Sequence, residues 1–160
     1  MIYTGIGSRQ TPPHVLEAMQ LIAKQRAAEG WTLRSGNAAG ADTAFATGCS
    51  LVQGEMEIYL PWEGFNNRTS KNSGYIAIGQ LPNVSQAMEI AAQFHPNWGA
   101  CSRAAKKLHT RNVYQIAGWD LNTPTDEVIC WSKGSGGTEQ ALRIAYYLDI
   151  PIRNLYNEYS

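Results

Sequence analysis

The feature that most constrains this chain is a regular alternation of strand-like and helix-like segments joined by glycine-bearing turns. Strand-like runs cover residues 1–6, 31–34, 57–60, 126–131 and 151–156, and helical patterns begin near residues 13, 41, 85, 101 and 138. Parallel neighbouring strands need crossover connections, and these crossovers are right-handed. The alternation therefore predicts a Rossmann-like, doubly wound α/β fold, with a mostly parallel sheet and helices on both of its faces.

Three segments carry details of this prediction. The small residues of the helix at 41–52, among them Gly48, allow it to pack closely. The helix at 101–117 has a possible break near Thr110. Residues 62–75 are rich in Gly, Asn, Ser and Thr and predict a loop of functional length, which could act as a lid.

Size and composition favour one soluble domain over residues 1–160, because 44% of the residues are hydrophobic and no long polar tract divides the chain. Thirteen basic and thirteen acidic residues give no net charge that would attract nucleic acid or a membrane. The three cysteines lack Cys-x-x-Cys spacing, so we expect neither disulfides nor a metal, and no separate cofactor. With no apolar run long enough for a membrane span and no signal-peptide pattern, we expect a cytoplasmic protein without a membrane partner.

Three glycine-bearing turns form the candidate binding site. They follow the first, second and fourth predicted strands, and the carboxyl ends of neighbouring parallel strands meet at one edge of a sheet, where exposed amides and helix amino termini bind anions. If the first strand lies beside the fourth, the three turns surround one crevice. They predict a site for a phosphate-bearing molecule, with these candidate residues: Gly7, Ser8, Arg9, Ser35, Gly36, Asn37, Ala38, Gly40, Asp42, Gly136, Gly137 and Thr138.

The turns match neither of two common nucleotide motifs. Gly5-x-Gly7 lacks the third glycine of the dinucleotide fingerprint, and no P-loop lysine is followed by Ser or Thr. NAD binding and ATP hydrolysis are therefore disfavoured. A phosphate would also need a cation, for which Arg9 and Arg34 are the nearest candidates in sequence.

Taken together, the three turns resemble those of the SLOG superfamily, which includes Smf/DprA and LOG proteins. The resemblance covers most of the chain, and Ser35-Gly36-x-Ala38-x-Gly40-x-Asp42 is its most specific part. The whole sequence is most similar to short, stand-alone DprA-like proteins of bacterial viruses, which are described as DNA recombination mediators. The resemblance implies the Rossmann-like core and a homo-oligomer.

The resemblance also implies three activities, which stay open at this point. The first is binding of a nucleotide or nucleotide-derived phosphate ligand, the second is LOG-like hydrolysis of the N-glycosidic bond of a nucleoside monophosphate, and the third is DprA-like binding of single-stranded DNA. Hydrolysis would use Glu139 as the catalytic carboxylate, with Arg9 or Arg111 holding the phosphate. Ala39 stands where DprA proteins usually have arginine, and Ala141 stands where LOG enzymes have their motif glutamate.

Three further features have both a functional and a structural interpretation. Arg103, Lys107 and Arg111 recur every four residues and could contact a nucleic-acid backbone, although such a stripe is more often a solvated helix face. Asp42 could orient a ligand hydroxyl or cap its helix. Glu139 lies in the first turn of a helix, where the dipole stabilises a carboxylate whether or not it is catalytic.

Overall fold

Six parallel strands form one sheet in the computed structural model, which describes residues 1–159. The strands are β1 (Ile2–Gly7), β2 (Thr32–Ser35), β3 (Met56–Leu60), β4 (Tyr75–Ala77), β5 (Glu127–Trp131) and β6 (Ile152–Asn154). The helices are α1 (Pro13–Ala28), α2 (Ala41–Leu51), α3 (Val84–Gln93), α4 (Arg103–Ala117) and α5 (Thr138–Tyr147). This architecture confirms the predicted doubly wound α/β fold.

The sheet has the strand order β4-β3-β2-β1-β5-β6, so β1 lies at its centre between β2 and β5. The chain winds outward from β1 in one direction as far as β4 and then crosses back to β5. In parallel α/β sheets the crevice at such a reversal, at the carboxyl ends of the strands, is the usual ligand site. The register pairs Gly7 at the end of β1 with Trp131 at the end of β5, which fixes where the two following turns begin.

Two apolar layers cover the sheet, as its buried strands require. Tyr3 of β1 packs in the layer formed with α1 and α2, whereas Ile6 of β1 packs in the layer formed with α3, α4 and α5. Gly48 allows α2 to approach α1 closely, because a Cβ atom at this position would lie only 2.3 Å from the backbone oxygen of Gln20. The small residues predicted to permit close packing therefore act at this helix–helix contact.

Three details differ from the sequence prediction. The short strand β4 ends the polar segment that we expected to be a loop throughout 62–75. Helix α4 is continuous over Arg103–Ala117, with no break at Thr110, whose hydroxyl donates to the Lys106 carbonyl oxygen at 2.7 Å. The last strand ends at Asn154, and a 3-10 turn replaces its predicted second half.

Within residues 1–159, no helix combines the length and the apolar character that crossing a membrane requires.

Candidate functional site

A cleft of about 550 Å³ lies at the carboxyl ends of the central strands. All three predicted turns contribute to its lining, and α4 and the segment after β3 complete it. The lining residues include Gly7, Ser8 and Arg9 from the first turn, Ala38, Ala39 and Asp42 from the second, and Ser135, Gly136, Gly137 and Thr138 from the third. The cleft therefore occupies the switch point between β1 and β5.

The first turn, after β1, is held by its own backbone and by β5. The Ser8 amide donates to the Trp131 carbonyl oxygen at 3.1 Å, and the Ser8 carbonyl oxygen accepts from the Thr11 hydroxyl at 2.6 Å. Gly7 has no space for a side chain, since a Cβ atom there would lie 2.7 Å from the Cβ atom of Ala41. The side chain of Arg9 remains exposed at the rim of the cleft.

The second turn serves mainly as a support, because four of its predicted ligand residues lie behind the cleft wall. The Ser35 hydroxyl donates to the Gly5 carbonyl oxygen at 2.6 Å. Gly36 lies against the Arg111 side chain, where a Cβ atom would come within 2.8 Å of it. Asn37 and Gly40 adopt positive φ angles of 59° and 88°, which the reversal of the chain into α2 requires.

Asp42 is the buried centre of this arrangement. Its Oδ2 atom accepts a hydrogen bond from the Ala38 amide at 3.2 Å. Burial raises the pKa of Asp42 to about 6, while Arg111 and the amides of Ala38, Gly7 and Gly36 act in the opposite direction. The predicted helix-capping role is not seen, because the cap position of α2 is Gly40 and no side chain caps the helix, whereas contact of Asp42 with a ligand hydroxyl stays a prediction. The amide of Ala38, which we expected to face a ligand phosphate, is directed at Asp42 instead.

This burial predicts a pH-dependent difference between the native protein and Asp42→Asn. The folded pKa of about 6 exceeds the ordinary value of 3.8, so protonation of Asp42 stabilises the folded state. The stabilisation is complete below pH 3.8 and is lost as the pH rises through 6. We expect the unfolding free energy of native protein minus that of Asp42→Asn to increase by about 3 kcal/mol between pH 7 and pH 3.5. Denaturant titrations of both proteins at each pH measure it, and a constant difference would contradict it.

The third turn, after β5, leaves its backbone open. Gly134 and Gly136 have φ angles of 100° and 95°, and no atom lies within 4 Å of a Cβ placed on Gly134, Gly136 or Gly137. Across residues 1–159, the amides of Gly136, Gly137 and Thr138 have no hydrogen-bond acceptor. These three amides begin α5, where the helix dipole also favours an anion.

Arg111 brings a positive charge into the cleft from α4. Its side chain is only 7% exposed, and its guanidinium donates to the Gly36 carbonyl oxygen at 2.6 Å and to Asn112 Oδ1 at 3.3 Å. No carboxylate of the described chain lies within 4.0 Å of it. Burial lowers the pKa of Arg111, and Asp42 partly opposes this change. The cleft thus contains a buried cation that lacks a direct ion pair.

The segment after β3 forms the remaining wall and is tied to the second turn. Asn37 Nδ2 donates to the Phe65 carbonyl oxygen, and Asn66 Nδ2 donates to the Asn37 carbonyl oxygen, both at 2.9 Å. The Phe65 ring centroid lies 5.7 Å from the Arg111 guanidinium carbon and 5.3 Å from the Trp62 ring centroid. This part of the expected loop is therefore hydrogen-bonded in place beside the cleft.

Several residues that the sequence singled out lie elsewhere. Glu139 does not line the cleft, and its Oε1 atom accepts from the Ser132 hydroxyl at 2.5 Å. Arg34 is buried away from the cleft, where it donates to Glu57 Oε1 at 3.0 Å and to the Thr123 carbonyl oxygen at 2.6 Å. The expected basic stripe is interrupted, because Arg103 and Lys107 are exposed whereas Arg111 is buried in the cleft.

Other cleft residues were missed by sequence reasoning. Asn112, Gln115 and His109 line it from α4. Asn112 Nδ2 donates to the Gly137 carbonyl oxygen at 3.2 Å, so α4 supports the third turn through Asn112 and the second through Arg111. The sequence signal that could have identified these cleft residues is the run of polar side chains in the second half of α4, the half that the structure buries. His109 is half-buried, and burial and neighbouring His95 lower its pKa, which keeps the imidazole neutral near pH 7.

The fold also brings together three potential metal ligands that the sequence did not indicate. His95, Cys101 and His109 place one ligand atom each within 4.8 Å of the others. Their spacings of six and eight residues match no short metal-binding motif, which is why we expected no metal site.

Comparisons with known proteins identify no relative of this chain. No protein-family model matches the chain, and searches of curated proteins and of solved structures likewise give no match.

Proposed function

We propose that this protein binds a nucleotide or a nucleotide-derived phosphate ligand in the cleft at the switch point, as a SLOG-like domain. The observation that carries the proposal is that the unpaired amides of the third turn and the buried guanidinium of Arg111 line the same cleft. Both groups bind anions, and the turn comes at the amino terminus of α5.

Energetics favour an anion beside Arg111. Arg111 has no direct ion pair, and the buried carboxylate of Asp42 only partly offsets the cost of burying its charge, so a phosphate would supply a direct counter-charge. Each hydrogen bond to a charged group contributes about 1.5–3 kcal/mol, whereas the helix dipole alone contributes ~0.3–1 kcal/mol at an exposed site. The guanidinium and the amides of Gly136, Gly137 and Thr138 together would therefore dominate phosphate binding.

The size of the cleft favours a ligand larger than inorganic phosphate. Its volume of about 550 Å³ falls in the range of small-molecule sites, which are roughly 300–1,000 Å³. Phe65 offers an aromatic ring on which a base could stack, and Asn66, Arg9 and Gln10 offer polar groups around it. A ligand with a phosphate at the third turn and a base near Phe65 would contact both of these parts of the cleft lining.

The geometry supports the other two activities less well. Of the described residues that line the cleft, Asp42 is the only carboxylate, and it is engaged by backbone amides, whereas Glu139 is bonded to Ser132 outside. Binding of single-stranded DNA was expected to use a stripe of three basic residues, but Arg111 is buried and cannot belong to an exposed stripe. We therefore propose ligand binding without assigning a hydrolytic role to Glu139.

The test is to identify small molecules released from the purified protein by heating, using mass spectrometry, and to titrate nucleosides and their 5′-phosphates by calorimetry. We expect the phosphorylated forms to bind at least about 10-fold more tightly than the nucleosides. Equal affinities for both forms would contradict the proposal. Release of free base from a nucleoside monophosphate would instead support N-glycosidase activity, and salt-dependent binding of single-stranded DNA alone would support the DNA-binding alternative.

Replacing Gly137 with valine should weaken nucleotide binding far more than it unfolds the protein. Gly137 has helical angles, with φ −65° and ψ −30°, and open space around it, so a β-branched side chain fits the fold but projects into the cleft. We expect at least about a 10-fold loss of nucleotide affinity and a change below about 1 kcal/mol in unfolding free energy. Gly79→Val, at another open position away from the cleft, is the control. Equal effects of the two substitutions on binding would contradict the prediction.

A further inference from the structure

We propose that His95, Cys101 and His109 form a binding site for a zinc ion beside the cleft. His95 and Cys101 come from the connection between α3 and α4, and His109 comes from the middle of α4, so only the folded chain brings them together. Two imidazoles and a thiolate are a ligand set that Zn²⁺ commonly takes. This inference does not depend on the proposed nucleotide ligand.

The distances fit a tetrahedral ion. Zinc binds nitrogen at ~2.0–2.1 Å and thiolate sulfur at ~2.3 Å, so a nitrogen and a sulfur on one ion lie roughly 3.5 Å apart. Cys101 Sγ lies 3.6 Å from His95 Nε2. The longest separation among the three ligand atoms is within 4.8 Å, so a shift of about 1 Å would complete the geometry.

An unpaired polar atom independently marks the same cluster. His109 Nδ1 is buried and has no hydrogen-bond partner in the described chain. The His95 and His109 rings meet edge to face, with their centroids 4.5 Å apart. A metal ion coordinated between the rings would give a buried nitrogen the partner that it lacks.

Zinc binding at this site would break existing contacts with Asn97. His95 Nδ1 accepts from the Asn97 amide at 3.0 Å, which places the proton of neutral His95 on Nε2. Coordination through Nε2 requires the other tautomer, so the Asn97 contact would open when the ion binds. Cys101 Sγ would likewise exchange its 3.7 Å contact with the Asn97 carbonyl oxygen for the ion.

His109 links the cluster to the cleft, because it belongs to both. Three protein ligands leave a fourth position on a tetrahedral zinc ion, which a water molecule or a ligand oxygen would take. The ion would also increase the positive charge along this wall.

The experiment titrates metal-free protein with Zn²⁺ by calorimetry and with Co²⁺ by absorption spectroscopy, in the absence of nucleotide. We expect one equivalent to bind, with thiolate-to-cobalt charge transfer and the visible bands of tetrahedral cobalt. Loss of a group that only hydrogen-bonds to a metal ligand already costs ~10–100-fold in metal affinity, so loss of a ligand itself, in Cys101→Ser or His109→Gln, should cost at least about 100-fold.

His14→Ala is the matched control, because this histidine is exposed and lies outside the cluster. Circular dichroism of each variant establishes that it is folded, and partly exposed Cys101 makes Cys101→Ser the safer variant. Absence of stoichiometric binding, or binding that Cys101→Ser leaves unchanged, would overturn the zinc site. Neither outcome bears on nucleotide affinity, which the titrations with nucleoside phosphates measure separately.

Discussion

Arg111→Met should reduce affinity for a nucleoside 5′-monophosphate by about 100-fold while leaving the protein folded. Loss of charge-assisted hydrogen bonds worth about 3 kcal/mol accounts for this change in affinity. Stability should change by only about 1 kcal/mol, because two effects oppose each other. The substitution removes the cost of burying a guanidinium without a direct ion pair, but it leaves the Gly36 carbonyl oxygen without its donor and removes a charge that stabilises ionised Asp42. Calorimetric titration and denaturant unfolding measure the two quantities.

Arg103→Met is the matched control, because Arg103 lies on the same helix but is exposed and outside the cleft. It removes the same charge from the protein without touching the site. If general electrostatic attraction governed binding, the two substitutions would weaken affinity equally, and the proposed role of Arg111 would be wrong. Retention of full affinity by Arg111→Met would lead to the same conclusion.

Gly48→Val should be the most destabilising of the substitutions considered. Its Cβ atom would lie 2.3 Å from the Gln20 backbone oxygen and 2.8 Å from the Gln20 Cα atom. Because these backbone atoms, unlike the end of a flexible side chain, cannot rotate out of the way, α1 and α2 would have to move apart. Overpacking typically costs 1–3 kcal/mol, and we expect about 3 kcal/mol here, measured as the loss of unfolding free energy.

Thr47→Val, one residue earlier on α2, is a suitable comparison because Thr47 is exposed. It introduces the same side chain into the same helix without the clash, so its effect should stay within about 0.5 kcal/mol. A similar loss for both variants would show that helix propensity, and not close packing against Gln20, determines the cost. Nucleotide affinity measured on folded Gly48→Val protein should be little changed, since Gly48 does not line the cleft.

Sequence reasoning predicted the fold well because strand and helix patterns are local. Convergence of the three turns required the first predicted strand to lie beside the fourth, and the pairing of β1 with β5 meets this requirement. β4 was missed because Tyr75-Ile76-Ala77 is a short apolar run next to a long polar segment. A strand of only three residues is defined by its pairing with β3, and a local sequence pattern does not reveal such pairing.

The candidate site was predictable only in outline. The turns were found because their glycines occur where strands meet helices, and all three contribute to one cleft. Which amides remain free could not be predicted, since that depends on contacts formed only in the folded chain, such as the one from the Ala38 amide to Asp42. Arg111 was predicted as one of two arginines that could hold a phosphate in a hydrolase, but its burial in the cleft was not predicted, because four-residue spacing alone does not distinguish an exposed helix face from a buried one.

The segment that carries Phe65 and Asn66 is joined to the rest of the cleft in a way that allows its sequence to vary. These two cleft residues belong to neither a strand-to-helix turn nor α4, and two hydrogen bonds through Asn37 connect their segment to the scaffold. Sequence changes near residues 62–74 would therefore alter the surface that Phe65 and Asn66 would offer to the proposed ligand, while the sheet register stays fixed by the core. Selectivity for the proposed ligand could then change during evolution without changing how the sheet folds.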